Sequence, residues 1–142
     1  MKPADQNAVS NYIEEQYGAS PEYLWRKYPS YAVFRRENNR KWFAVIMEVP
    51  RNKLGLTGKD MVGILNIKCD PRLSGALREK RSIFPAYHMN KSNWVTVLLD
   101  GSVSMEELMP LLDMSYSLTD SRRHTGTAWQ QIPENRTKHI EE

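Results

Sequence analysis

"YAVFRRENNRKWFAVIMEV", residues 31–49, decides the fold class. Two runs rich in β-branched and aromatic residues flank the tetrapeptide "ENNR", 37–40. Asparagines tolerate the left-handed backbone that a tight hairpin demands, so the stretch predicts two antiparallel strands joined by that turn. Successive side chains of a strand alternate between faces, which sets Trp42, Ala44 and Ile46 on one side and Phe43, Val45 and Met47 on the other. Both sets are apolar, so the second strand belongs inside a sheet covered on both faces.

Working outward, "VPRNKLGLTGKD" (49–60) is a long connection to a third strand, "MVGILNIK" (61–68). Its "GLTGKD" superficially resembles a phosphate-cradling loop, but that motif needs four residues between its glycines and a Ser or Thr after the lysine. Two residues intervene here and Asp60 follows Lys59; a carboxylate there repels phosphate, which excludes nucleotide binding by this loop. "CDPRLSGALREKR" (69–81) predicts a short helix to about Lys80, with Asp70 as N-cap and Pro71 at the first helical position, where a missing N–H costs nothing. "FPAYHM" (84–89) and "NWVTVLLD" (93–100) predict an extended pair around "NKSN", and Asp100-Gly101 turns the chain toward a last helix. There Ser104 and Glu107 form a capping box ahead of a face of Leu108, Leu111, Leu112, Ser115 and Tyr116. Pro110, lacking an N–H, predicts either a kink or a start delayed to about Met109. At the N-terminus Asp5 caps a helix with Ala8, Val9, Tyr12, Ile13 and Tyr17 at helical spacing, ended by Gly18. The resulting order is α-β-β-β-α-β-β-α, an α+β domain on an antiparallel sheet. It spans residues 1–119; residues 120–142 turn polar without periodicity and predict a flexible tail, which Trp129 and Ile132 could pin to the body.

A chain of 142 residues suits one core. No run approaches the ~18–20 apolar residues that cross a bilayer, and no segment resembles a signal peptide, so a soluble cytoplasmic protein is expected. Cys69 is the single cysteine, which excludes an intrachain disulfide and any multi-cysteine metal site. As a lone thiol at a strand end it reads as buried and inert. His88, His124 and His139 stand far apart, so no helix-spaced pair starts a zinc site. Neither a metal nor a cofactor is expected.

Charge is unevenly placed. From Arg26 to Lys91 fifteen Lys and Arg face five Asp and Glu, a balance of +10, whereas the remainder carries −7. Such a segment suits an electropositive face toward nucleic acid, anionic lipid or an acidic protein, or a solvated surface folded back on the acidic terminal helices.

Four stretches carry a family likeness: "KWFAVI" (41–46), "LNIKCDP" (65–71), "FPAYHMNKSNWVTVLLDG" (84–101) and "DMSYSLT" (113–119). Through them the chain resembles the MmcQ/YjbR family over about residues 4–119. The resemblance implies a CyaY-like fold related to secretion chaperones and a DNA-binding role, the latter resting on fold comparison, which is analogy and not a site. Two departures are plain: members often carry histidine immediately before the tryptophan, where this chain has Asn93, and they usually stop soon after the last helix.

Within the third stretch, Asn90 to Asn93 are turn-forming and Trp94 anchors the next strand. If residues 87–90 are extended, Tyr87 and Met89 share one side and His88 and Asn90 the other. Lys91 then projects as a phosphate contact, with His88 or Asn90 donating beside it. His88 has no acid, nucleophile or metal partner at a recognisable spacing, so no catalytic residue is assigned and no enzyme is expected. The candidate nucleic-acid contacts are Arg35, Arg36, Arg40 and Lys41 at the hairpin, Arg51, Lys53 and Lys59 in the long loop, and His88, Asn90 and Lys91. The function expected is non-enzymatic DNA binding through phosphates; the alternative is a protein-interaction or self-associating adaptor of chaperone-like fold, in which a sheet edge accepts a strand.

Overall fold

The computed structural model describes residues 2–120. Helix α1 (Gln6–Tyr17) leads into strands β1 (Ala32–Arg35) and β2 (Trp42–Pro50), a 3₁₀ turn (Arg51–Leu54) and β3 (Met61–Lys68). Helix α2 (Pro71–Arg78), strands β4 (Ile83–Pro85) and β5 (Trp94–Leu98), and helix α3 (Met105–Leu118) complete it. The five strands form one antiparallel sheet in the order β1-β2-β3-β5-β4. This is the α+β class and element order that the sequence predicts; the tail expected over 120–142 lies outside the described residues beyond Asp120.

The sheet is covered on both faces. On one, Val9 and Ile13 of α1 and Leu108 and Leu112 of α3 pack on Phe34, Phe43, Ala44, Ile46, Leu65 and Ile67. On the other, irregular segments do the covering: Trp25 and Tyr31 from the 18–31 connection, with Ala86 and Met89 from the 86–93 loop, close over Trp42, Val45, Met47, Ile64 and Trp94. The predicted alternation in β2 fails at its start. Phe34 pairs with Ala44 but Arg35 with Trp42, so Phe43 is the extra residue of a bulge. A bulge turns its strand locally, and Phe43 and Ala44 therefore both join the helix face while Trp42 joins the opposite one.

Two further details differ from expectation. In the hairpin turn the left-handed residue is Arg40 (φ 63°), not an asparagine. Asn39 instead accepts from the Lys41 N–H at 3.0 Å and donates to the Thr119 carbonyl at 2.7 Å. Helix α3 starts at Met105 under an intact Ser104–Glu107 capping box and runs through Pro110, so the start is not delayed to Met109. The box supplies the first turn without help from the later residues.

Candidate nucleic-acid interface

Antiparallel order divides the loops between two ends of the sheet. The β1–β2 hairpin, the end of β3 and the 86–93 loop lie at what is termed the hairpin end; the 51–60 connection, the turn before β4 and the 99–104 segment lie at the opposite, loop end. Eight residues of β3 separate them, about 25 Å at ~3.3 Å per residue. The ten sequence-predicted contacts are split accordingly: Arg35, Arg36, Arg40, Lys41, His88, Asn90 and Lys91 at the hairpin end, Arg51, Lys53 and Lys59 at the loop end.

Most of the hairpin-end group serves the fold. Arg36 is 8% exposed; its Nε donates to Thr119 Oγ1 at 3.0 Å, its Nη2 to the Tyr116 carbonyl at 2.6 Å, and its guanidinium lies 3.8 Å from the Tyr116 ring centroid. A cation at the C-terminus of α3 complements the helix dipole and satisfies a terminal carbonyl, so Arg36 is not a surface contact. Glu22 engages both Arg35, at 3.3 Å, and Arg40, at 2.7 Å. Burial, with the Arg36 charge nearby, holds the Lys41 ammonium below the usual lysine range. His88 does not sit in extended chain: its φ of 59° places it in the left-handed region, edge-on to Tyr87 at 4.1 Å, so the alternation expected over 87–90 does not hold. Asn90 Oδ1 accepts from the N–H groups of Ser92 (2.8 Å) and Asn93 (3.2 Å), the turn role expected of it. Of His88, Asn90 and Lys91, only Lys91 is exposed.

The family-like stretches prove to be fastenings of this end. Asn66, fully buried, donates to the Tyr87 carbonyl at 3.0 Å and accepts from Thr96 Oγ1, which in turn accepts from the Tyr87 N–H at 2.8 Å. The "AYHM" loop is thereby pinned to β3 and β5. Ser115 Oγ donates to the Phe43 carbonyl (2.6 Å) and accepts from the Lys68 N–H (2.8 Å), tying α3 to β2 and β3 at the bulge. Asp113 accepts from the hydroxyls of Tyr12 and Tyr17, joining α3 to α1. Lys68 is 2% exposed beside the Trp94 ring (5.7 Å); burial, then the Lys41 charge, lowers its pKa to about 8. Cys69 is buried, as expected, and burial pushes its thiol up to about 11.

The loop end holds a groove of about 930 Å³. Arg51, Lys80 and Arg81 line it together with Leu56, Ile83, Phe84, Leu98 and Val103. Arg51 is aimed by its Nε, which donates to the Thr57 carbonyl at 3.1 Å. Lys80 and Arg81 are exposed, as are Lys53 and Lys59 in the adjoining connection. The two carboxylates of the lining are already engaged: Asp100 accepts from Ser102 Oγ (2.6 Å) and N–H (3.0 Å), and Glu107 from the Ser104 N–H (3.1 Å). Hydrogen bonds from Ser102 and the Arg51 charge draw the Asp100 carboxyl below its usual range, outweighing a burial effect that pushes the other way. Lys80 and Arg81 were not among the predicted contacts; the basic run "REKR" (78–81) closing α2 was the signal that pointed to them.

Both sheet edges are blunted. At the β1 edge Val33 exchanges both backbone bonds with Glu22 (2.9 Å each) and the Tyr31 N–H donates to Tyr28 (3.1 Å). At the β4 edge the Ile83 N–H donates to the Lys80 carbonyl (3.2 Å) and Pro85 has no N–H to give. Among the described residues no three His, Cys, Asp or Glu gather as metal ligands would, and no helix is long and apolar enough to cross a membrane.

Comparisons place this architecture. A crystal structure of a Pseudomonas syringae protein superposes with a TM-score of 0.78 at 40% identity, covering 80% of this chain and 97% of that one; a solution structure from the same organism gives 0.77 at 39%, covering 86% and 98%. A Deinococcus radiodurans protein shares the fold at a TM-score of 0.64 and 24% identity, over 95% of this chain and 88% of that one. The uncharacterized protein YyaQ of Bacillus subtilis is 41% identical over 111 residues, 78% of this chain and 94% of its own. YjbR of Escherichia coli is 40% identical over 53 residues, 37% of this chain and 45% of its own. The YjbR family model matches residues 14–118, from the end of α1 to the end of α3, and the chain belongs to the YjbR family.

Proposed function

We propose that this protein is a non-enzymatic nucleic-acid-binding domain whose contacts are phosphate contacts at the loop end: Arg51, Lys53, Lys59, Lys80 and Arg81. The observation that carries the reading is the gathering of three of these cations, Arg51, Lys80 and Arg81, from two separate segments in the lining of one groove whose carboxylates accept hydrogen bonds from Ser102 and Ser104, with Lys53 and Lys59 in the connection that follows Arg51. Lys53, Lys59, Lys80 and Arg81 have no carboxylate partner among the described residues, unlike Arg35 and Arg40. Cations without intramolecular partners are the ones that displace counterions from a polyanion. The blunted sheet edges weigh against an adaptor that works by accepting a strand.

Fluorescence anisotropy with a labelled oligonucleotide of arbitrary sequence at two salt concentrations tests this. Three or four neutralised phosphates give a slope of log K against log salt of about −3, at ~0.7–0.9 per phosphate. The triple variant Arg51→Glu, Lys80→Glu, Arg81→Glu should abolish binding, whereas Lys91→Ala should leave it unchanged. No binding by the native chain at low salt, or binding indifferent to the triple variant, overturns the proposal.

A further inference from the structure

We infer that the groove accommodates a single-stranded rather than a duplex segment, with one unstacked base lying against Phe84. This deepens the nucleic-acid reading above and rests on it. Arg51, Lys80 and Arg81 share the lining of a concavity with Leu56, Ile83, Phe84, Leu98 and Val103, and its volume falls within the ~300–1,000 Å³ usual for sites that enclose a small molecule. A duplex is read by an element that projects into its grooves, a helix or a β-ribbon, and it presents only sugar and phosphate outward. It would touch the cationic rim and leave the apolar wall unused. A single strand offers both chemistries at once, phosphates for the rim and a base face for the wall. Phe84 is the aromatic residue of that lining; it is half-buried, packed against the loop-roofed cluster while its neighbour Ile83 joins the helix side, and its pairing with Thr96 in β5 holds its backbone in place. Every base has a π-face, so this contact is tolerant of sequence and specific for strandedness.

The test uses the full chain with fluorescein-labelled mixed-sequence 20-mers, single-stranded and annealed, at two salt concentrations. The native protein should bind the single strand roughly tenfold more tightly than the duplex. Phe84→Leu, which keeps an apolar side chain of similar size, should weaken single-strand binding by roughly five- to a hundredfold, the loss of one base–aromatic stack, with duplex affinity and salt slope unchanged. Phe84→Trp should retain the preference, and this second variant separates stacking from a folding defect. Equal or tighter duplex binding by the native chain, or a Phe84→Leu loss shared equally by both probes, overturns this inference while leaving the phosphate reading intact. Failure of both probes to bind, or insensitivity to the Arg51, Lys80 and Arg81 charge reversal, overturns both.

Discussion

Arg36 illustrates why residue type alone misassigns a role. In sequence it is one of a cationic pair beside a turn; in the fold it closes the end of α3 through Tyr116 and Thr119, eighty residues away. Removing it leaves a helix-terminal carbonyl without its charged donor, so Arg36→Ala should cost about 2–3 kcal/mol in urea unfolding and leave oligonucleotide affinity unaltered. Lys68 carries a second residue-scale prediction. Its folded pKa of about 8 lies below the ordinary lysine value, so between about pH 8 and 10.5 the unfolded chain holds a proton that the folded one has released. This group alone should therefore make stability rise with pH by ~1.4 kcal/mol per pH unit, most cleanly between about pH 8 and 9, because above 9 the raised Cys69 thiol acts in the opposite sense; Lys68→Met should flatten the rise in unfolding curves taken from pH 7 to 9. Nothing in "LNIKCDP" announces this, because a lysine at a strand end reads as exposed until its tryptophan neighbour is known.

Elements were more legible than their details. The capping boundary of α3, the Asp5 cap of α1 and the Asp70-Pro71 start of α2 are local chemistry and were readable from a few residues. The bulge at Phe43 was not, because it depends on the register between two strands and on which face each indole and phenyl ring must cover. Nor was the bend at His88, where the hydrogen bonds that Tyr87 donates to Thr96 and accepts from Asn66 override the extended tendency of the flanking residues. Two predictions belong here. Pro110→Ala should stabilise the protein by about 1–3 kcal/mol in thermal unfolding, since it restores a donor toward the Glu106 carbonyl inside α3. Gly63→Ala should destabilise it, because a Cβ would stand 2.9 Å from Cγ of Gln6 at the start of α1. Combining it with Gln6→Ala should recover much of the loss in a double-mutant cycle.

At the scale of the whole molecule, an antiparallel chain sends consecutive loops to opposite ends, and this decides which charges can act together. The excess of +10 between Arg26 and Lys91 was visible in composition; its division by β3 into two groups about 25 Å apart was not. If all ten predicted residues acted together the salt slope would be far steeper than −3, so the slope itself distinguishes one end from both. The asymmetry of the two sheet coverings has an optical consequence. Every tryptophan among the described residues, Trp25, Trp42 and Trp94, lies on the face roofed by loops, whereas α1 and α3 lie on the other. Irregular coverings open more readily than packed helices. Indole emission should therefore shift red at a lower denaturant concentration than that at which far-ultraviolet ellipticity is lost, and coincidence of the two transitions would show that both coverings come away together.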